Sequence, residues 1–365
     1  NHGAWPLGWN DENAETQFAA CFEAAMPTEE RAKRKLSERP GELAPWLKNL
    51  EHYLKEHAEA LRTAELMQPK EIPALLDVLR HEDPLLEKTS TFLLYRAWSS
   101  REPLTKAARK IAESASRFSE TGDRGTDHWR VLDKFRDDLR AQMLKDLGLD
   151  QSYAGLATWI RMSSGIARNL IITLKHIFDW ASFYQEGFGA PQGISLRSQA
   201  KGVEDASEWF VNDAQVLGQD LGTVQSGIKR TCSLMRTLRF AEKPPECSLS
   251  TFEADRDGVL PEVRRIIELS QKWSIYIPAS DRPERNSGGD VSKYRINGMI
   301  APKYDLPLYT RGSVHLTQDE AHVIFGNGSE ADYARIMRVR ELRVRPPFLR
   351  GNRSEPESEH EQELF

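Results

Sequence analysis

The sequence is poor in cysteine: Cys21, Cys232 and Cys247 are its three thiols in 365 residues, and no two form a Cys-x-x-Cys pair. An odd, widely spaced set supplies neither a disulfide framework nor a thiolate zinc site, and it is the usage of a reducing, cytoplasmic compartment. The thiols read as plain buried side chains. Long apolar runs are also missing. The longest, around Leu170 to Phe178, is broken by Thr173, Lys175 and His176, well short of the ~18 residues a spanning helix needs. It reads as a core helix, and no membrane partner is expected. Charge of one sign is weak as well, with a net charge of -5 and a pI near 6.1. No overall attraction therefore draws the chain to nucleic acid, and any such contact must come from a local patch. Residues 1 to 30 lack the basic-then-apolar order of a signal peptide. With Asn1 where a Met would stand, the chain is read as part of a longer protein.

Hydrophobic residues at 39%, charged residues at 29% and a mean hydropathy of -0.59 describe a globular chain. The length corresponds to two to three domains at ~150 residues each. From Glu12 to about Asp150 the pattern is helical. In Pro45 to Met67, the residues Trp46, Leu47, Leu50, Tyr53, Leu54, Ala58 and Leu61 recur at three- and four-residue spacing, which predicts a single helix with one buried face. Further helices are expected at Glu71–Arg80, Pro84–Trp98, Leu104–Phe118 and Asp127–Leu147. Breaks fall at Arg39-Pro40-Gly41, Glu82-Asp83-Pro84 and Thr121 to Gly125.

A short motif region, Leu149 to Lys201, ends in the Gly- and Pro-bearing loop Gly187 to Gly193, which reads as a boundary. After it come expected helices at Glu204–Val216 and Thr223–Phe240, a β-like run Ser248–Phe252 and a helix Pro261–Trp273. Then follow Ser274 to Ile277, a polar basic loop with Gly288-Gly289, and Lys293 to Ile296. Helix, strand, basic loop, strand is the order of a winged helix after its third helix. Helices at Thr317–Phe325 and Ala331–Arg343 flank a turn at Gly326-Asn327-Gly328. Gly351 to Phe365 reads as a disordered acidic tail. The expected fold is mainly α: a helical bundle over 1–150, a small helical lid-like segment over 151–201, a winged-helix-like α+β domain with C-terminal helices over 202–350, and the tail 351–365.

The most informative stretch is Ser163-Ser164-Gly165-Ile166-Ala167-Arg168-Asn169-Leu170. A serine before a helix accepts hydrogen bonds from the free amides of its first turn. Ile166, Leu170, Leu174, Ile177, Ala181 and Tyr184 would form one apolar stripe. Arg168 falls in the first turn and off the stripe, where the helix dipole disfavours a cation unless it faces a phosphate or carboxylate. Spacing alone favours a plain surface arginine.

Gly165-x-x-Arg168 after a serine cap, opening a small lid helix before a winged-helix-like segment, resembles the sensor-2 element of AAA+ ATPases of the origin-recognition and initiator type. Trp159 to Phe188, Ser207 to Phe210, Lys243 to Phe252 and Asn297 to Gly312 also resemble the C-terminal half of bacterial members of that class. The likeness runs from about Pro84 to Arg345. It implies that Gly165 and Arg168 sense nucleotide, the arginine reaching the terminal phosphates of ATP held by a core domain. The chain contains neither a GxxxxGK[ST] loop nor an apolar strand ending in Asp-Glu, so the phosphate cradle and magnesium site of the family are absent from it. ATP and Mg are thus expected only through a core outside the chain. The partners implied are an N-terminal ATPase core or partner protein, DNA, and further copies of the chain.

Two basic patches are candidates for nucleic acid. One is the expected wing, with Arg282, Arg285, Lys293 and Arg295 around Asn286 to Gly289, although Asp281, Glu284 and Asp290 nearly cancel its charge. The other is the arginine run Arg335, Arg338, Arg340, Arg343, Arg345, Arg350 and Arg353. In it Arg338 and Arg345 are candidate phosphate contacts, and the tail Glu355 to Glu363 is a rival partner. No catalytic or metal residue is expected: His128 beside Asp123 and Asp127 is better explained by a helix cap at Thr126 or Asp127. His52 and His57, five apart, are too far around a helix to pair on zinc. Two other readings stay open, a non-catalytic helical adaptor for protein partners and a stand-alone winged-helix DNA-binding module.

Overall fold

A computed structural model of the chain describes residues 14–187, 193–213, 221–255, 260–279 and 291–348. The fold is mainly α with a small four-stranded sheet. Two compact units emerge, each assembled from separated stretches. A helical unit takes 28–149, 237–246 and the described chain from 334, and a mixed unit takes the described chain to 27, then 150–236 and 247–333. The expected tail 351–365, the loop residues 188–192, Arg282, Arg285, Arg350 and Arg353 lie outside the described residues.

After α1 (Ala14–Ala19), the helical unit is built from α2 (Thr28–Ser37), α3 (Pro45–Glu56), α4 (Ala58–Thr63), α5 (Ile72–Leu79), α6 (Pro84–Ser99), α7 (Leu104–Thr121) and α8 (Asp127–Asp146). Helix α6 starts where a local signal says it must: the Asp83 side chain accepts from the Leu85 and Leu86 amides, and Pro84 occupies the first turn. It is buried around nearly its whole circumference, from Leu85 to Trp98, which marks the central helix of a bundle. Helix α7 buries one face only, Leu104, Ala107, Ala108, Ile111 and Ala115. The stretch expected as one helix from Pro45 to Met67 is two. α3 ends at His57, whose φ of -103° leaves the helical region, and α4 starts at the next residue. The apolar period runs unbroken across the joint, since Leu50, Leu54 and Leu61 are all buried; a period reports which side is buried and is blind to a one-residue kink.

Thr126 caps α8 by accepting from the Trp129 amide, as the cap reading of this turn anticipated. His128 is no surface residue beside Asp123 and Asp127: it is fully buried, with its Nε2 3.0 Å from Ser90 Oγ and its Nδ1 2.9 Å from Ser114 Oγ. Burial holds its pKa down at about 4 from an ordinary 6.5, with His81 adding to the effect. The unfolded chain therefore binds more protons than the folded one between pH 6.5 and 4, and stability present above 6.5 is lost as pH falls through that window. The unfolding free energy of the wild type is expected to drop by about 2 kcal/mol more than that of His128→Gln between pH 7.5 and 5. Parallel urea titrations of the two proteins measure this, and equal drops refute it.

The mixed unit continues with α9 (Leu156–Met162), α10 (Ala167–Phe183), α11 (Leu196–Asp213) and α12 (Leu221–Arg239). Helix α11 begins eight residues before the expected Glu204, because the Ser195 hydroxyl accepts from the Ser198 amide and is itself held by Glu186. Then come β1 (Thr251–Asp255), α13 (Pro261–Lys272), β2 (Tyr276–Pro278), β3 (Val291–Ile296), α14 (Ala301–Tyr304), β4 (Val314–Leu316) and α15 (Gln318–Phe325); α16 (Glu330–Val344) starts here, and its residues from Ala334 on belong to the helical unit. Strand order is β2-β3-β1-β4, with β3 antiparallel to both β1 and β2, and β4 parallel to β1. β1 starts three residues later than expected because Ser248 and Ser250 both spend their hydroxyls on the Tyr309 carbonyl, at 2.7 and 2.9 Å. One sheet face is apolar: Phe252 and Tyr276 pack edge to face and Phe325 of α15 covers them. The opposite face carries Glu253 and Lys293.

Candidate functional site

The Gly165–Arg168 motif joins α9 to α10, and its geometry differs from a serine-capped start. Ser163 is the residue just past the end of α9 and donates its hydroxyl back to the Ile160 carbonyl, while Ile166 precedes α10 with no side-chain cap. Neither serine caps α10. The chain turns instead through two left-handed residues, Ser164 at φ 55° and Gly165 at φ 80°, a conformation that costs most residues but not glycine. The Gly298 amide donates to Ser164 Oγ at 2.9 Å, and Asn169 Nδ2 donates to the Ser163 carbonyl at 3.2 Å. The turn is thus pinned from the 3₁₀ turn Gly298–Ile300 on one side and from α10 itself on the other.

The buried face of α10 is rotated from the expected stripe. Asn169, Thr173, Ile177 and Ala181 are buried, Leu170 and Leu174 sit at the edge, and Ile171 and Phe183 are 65% and 71% exposed. Polar residues lead the buried face because the first two are satisfied locally, Thr173 Oγ1 donating to the Asn169 carbonyl at 2.9 Å. A hydrophobicity count has no means of seeing that.

Arg168 stands exposed in the first turn of α10, with its guanidinium 5.3 Å from the centre of the Trp209 ring on α11. At an exposed site such a cation–π contact is worth ~0.5–1 kcal/mol, enough to bias the side chain without burying its charge. At the far end of the same helix pair Arg197 of α11 lies 4.3 Å over Tyr184. Trp209 belongs to the Ser207–Phe210 run noted in the sequence, but its partnership with Arg168 was invisible there, since α10 and α11 meet only in the fold.

Of the remaining candidates, Lys293 and Arg295 share one face of β3 and are both half-buried. Lys293 Nζ lies 3.4 Å from Glu253, its cross-strand partner on β1, so part of its charge is spent within the sheet. Arg338 is exposed on α16, and Arg345, one residue beyond its end, lies 3.4 Å from Glu242. The helix period expected to align Arg335, Arg338 and Arg345 stops before the last of them. Cys21 and Cys232 are buried and Cys247 is half-buried. Among the described residues, no group of three or more His, Cys, Asp or Glu side chains is placed to hold a metal ion, and no helix is long and apolar enough to cross a membrane.

The family model described as ORC-CDC6-like matches residues 22–316. The matched stretch runs from just after α1 through β4, and so takes in the Gly165–Arg168 turn, Trp209 and the whole sheet. No curated protein and no solved structure matches the chain.

Proposed function

The chain belongs to the ORC-CDC6-like family, and from that premise we propose that it is the lid and effector portion of an initiator-type AAA+ ATPase whose nucleotide-binding core lies outside it. The observation that carries this is Arg168: an exposed guanidinium in the first turn of a helix, behind a pinned glycine turn and steadied by an aromatic ring. The residues of the chain do not fit a nucleotide by themselves, because no glycine-rich loop offers backbone amides to phosphates. Bound ATP with its magnesium would supply phosphate charge; the part of this chain would be to meet that charge with Arg168 and to hold the turn that aims it. The hydrogen bonds from Gly298 and Asn169 serve that second task.

The effector part, in this reading, is the sheet with α13, β2 and β3 as a winged-helix-like region, its Lys293 and Arg295 face turned to DNA or to a protein partner. A change in the angle of the lid on nucleotide binding would move that face as a body. Replacing Arg168 by Ala is expected to lower ATPase turnover of the full-length protein on the order of 100-fold, the effect of losing one charge-stabilising donor. The unfolding temperature of the present chain should move by less than about 3 °C, since ~1 kcal/mol or less of contact energy is removed. Turnover assays beside a thermal melt decide it; unchanged turnover in a folded variant rejects the assignment.

A further inference from the structure

Helix α10 of the mixed unit carries a second apolar stripe beside its buried face. At about 100° per residue, Ala167, Ile171, Leu174 and Phe178 lie within about 60° of one another around its axis. One end of the stripe is covered. Phe178 is half-buried, with the ring of Phe22 centred 6.3 Å from its own and 4.7 Å from that of the buried Trp159 on α9. The other end is open: Ile171, two turns nearer the Gly165–Arg168 turn, is 65% exposed, and Ile160 of α9 is 42% exposed. A single exposed isoleucine means little, but one that continues a stripe already covered at its far end raises the question of what covers the rest.

The existing cover comes from the N-terminal stretch. Ile194 N donates to the Cys21 carbonyl at 2.8 Å, Glu23 N to the Ile194 carbonyl at 2.9 Å, and Gln199 Nε2 to the Glu23 carbonyl at 2.9 Å, so the chain is anchored at 21–23. From that anchor α1 leads back, with Phe18 edge to face on Phe22 at 5.2 Å. Residues 1–13 precede it and lie outside the described residues. Their large apolar side chains are Trp5, Leu7 and Trp9, at the alternate spacing that shares one face of an extended segment. Trp5 stands nine residues before Ala14, ~30 Å of extended chain, whereas Ile171 is ~10 Å along α10 from Phe178. The segment can therefore reach the open end. A second copy of the chain fits less well: a stable interface takes ~800 Å² from each partner, and the exposed Lys175 and Arg168 follow Ile171 directly around the helix and keep the stripe narrow. A tethered segment acts at an effective concentration of order mM, so a narrow stripe suffices for it.

We propose that the chain's own segment 5–9 docks on this stripe, Trp5, Leu7 and Trp9 covering Ile171 and Leu174, and so straps α10 at the end that carries Arg168. The contact would stand whether or not Arg168 meets a nucleotide. The photo-crosslinking residue p-benzoylphenylalanine in place of Ile171 of the full chain, irradiated at about 1 and about 50 μM protein and mapped by mass spectrometry, tests it. Most crosslinks are expected to fall in residues 1–13, with a yield that does not change with concentration. Ile171→Ser leaves the buried face of α10 untouched. It and Trp9→Ser are each expected to lower the melting temperature by about 3 °C, and the double variant by no more than about 4 °C, since both remove one contact. The proposal fails if the crosslinks avoid residues 1–13, if their yield rises with concentration as contact with a second copy requires, or if the two melting shifts simply add. It fails equally if neither variant melts lower than the wild type.

Discussion

Replacing Asp138 by Ala is expected to cost the helical unit about 3–5 kcal/mol, the penalty for leaving a buried charge without its partner. Asp138 on α8 and Arg239 at the end of α12 are 2% and 1% exposed, with Arg239 Nε 2.8 Å from Asp138 Oδ1. The neighbouring Gln142 amide donates to the Arg239 and Ala241 carbonyls at 2.7 and 2.9 Å. Together they fasten the 237–246 stretch to α8, from which it is separated by about a hundred residues of chain. The gain from the pair itself is small, because both ions were taken out of water to make it. The double variant Asp138→Leu with Arg239→Met should therefore recover most of the stability lost by the single one. Urea unfolding of the three proteins measures this; a single variant within 1 kcal/mol of wild type would mean that the pair is wet and its apparent burial irrelevant.

Gly202→Ala should destabilise the mixed unit by about 2 kcal/mol or more, opposite in sign to what helix propensity predicts. Gly202 lies inside α11, where alanine is ordinarily better by ~1 kcal/mol. A Cβ at this position would, however, stand 2.4 Å from Ile177 Cα and 2.5 Å from Ile177 N on α10. Those are backbone atoms, which cannot turn aside as a flexible side chain would, and overpacking of this kind costs ~1–3 kcal/mol on top of the lost propensity gain. The two helices must move apart or the clash must stay. Because Trp209 and Arg168 sit on the same two helices, the variant should also loosen the guanidinium from its ring. A higher melting temperature for Gly202→Ala would show that the helices part freely, and would remove the case for a rigidly held Arg168.

The elements that could be read from the sequence were those whose ends carry their own chemistry. Asp83-Pro84 and Thr126 set the starts of α6 and α8 through hydrogen bonds to amides two or three residues away, and such signals survive in a one-dimensional reading. Arg168 stands out as a cation at a helix start, but spacing alone favours a plain surface arginine, and its nucleotide role comes from the family resemblance. The misreadings share one cause, that a partner distant in sequence changes what a local pattern means. The local pattern predicts a serine cap for α10, but Ser163 donates back into α9 and Ser164 receives the Gly298 amide. Strand β4 was unforeseen: three residues of Val-His-Leu make no recognisable strand until β1 lies parallel beside them.

By itself the sequence determined that this is a mainly α chain without a GxxxxGK[ST] loop, because periodicity, caps and a missing motif are properties of neighbours along the chain. It also determined that glycine and arginine stand three apart before a long helix. Only the tertiary structure decided that Arg168 leans on Trp209 and that Asp138 meets Arg239 in the dry. Each of these joins residues tens to hundreds of positions apart. The free energy that holds them together comes from burial and charge at contact distance, which sequence separation does not encode.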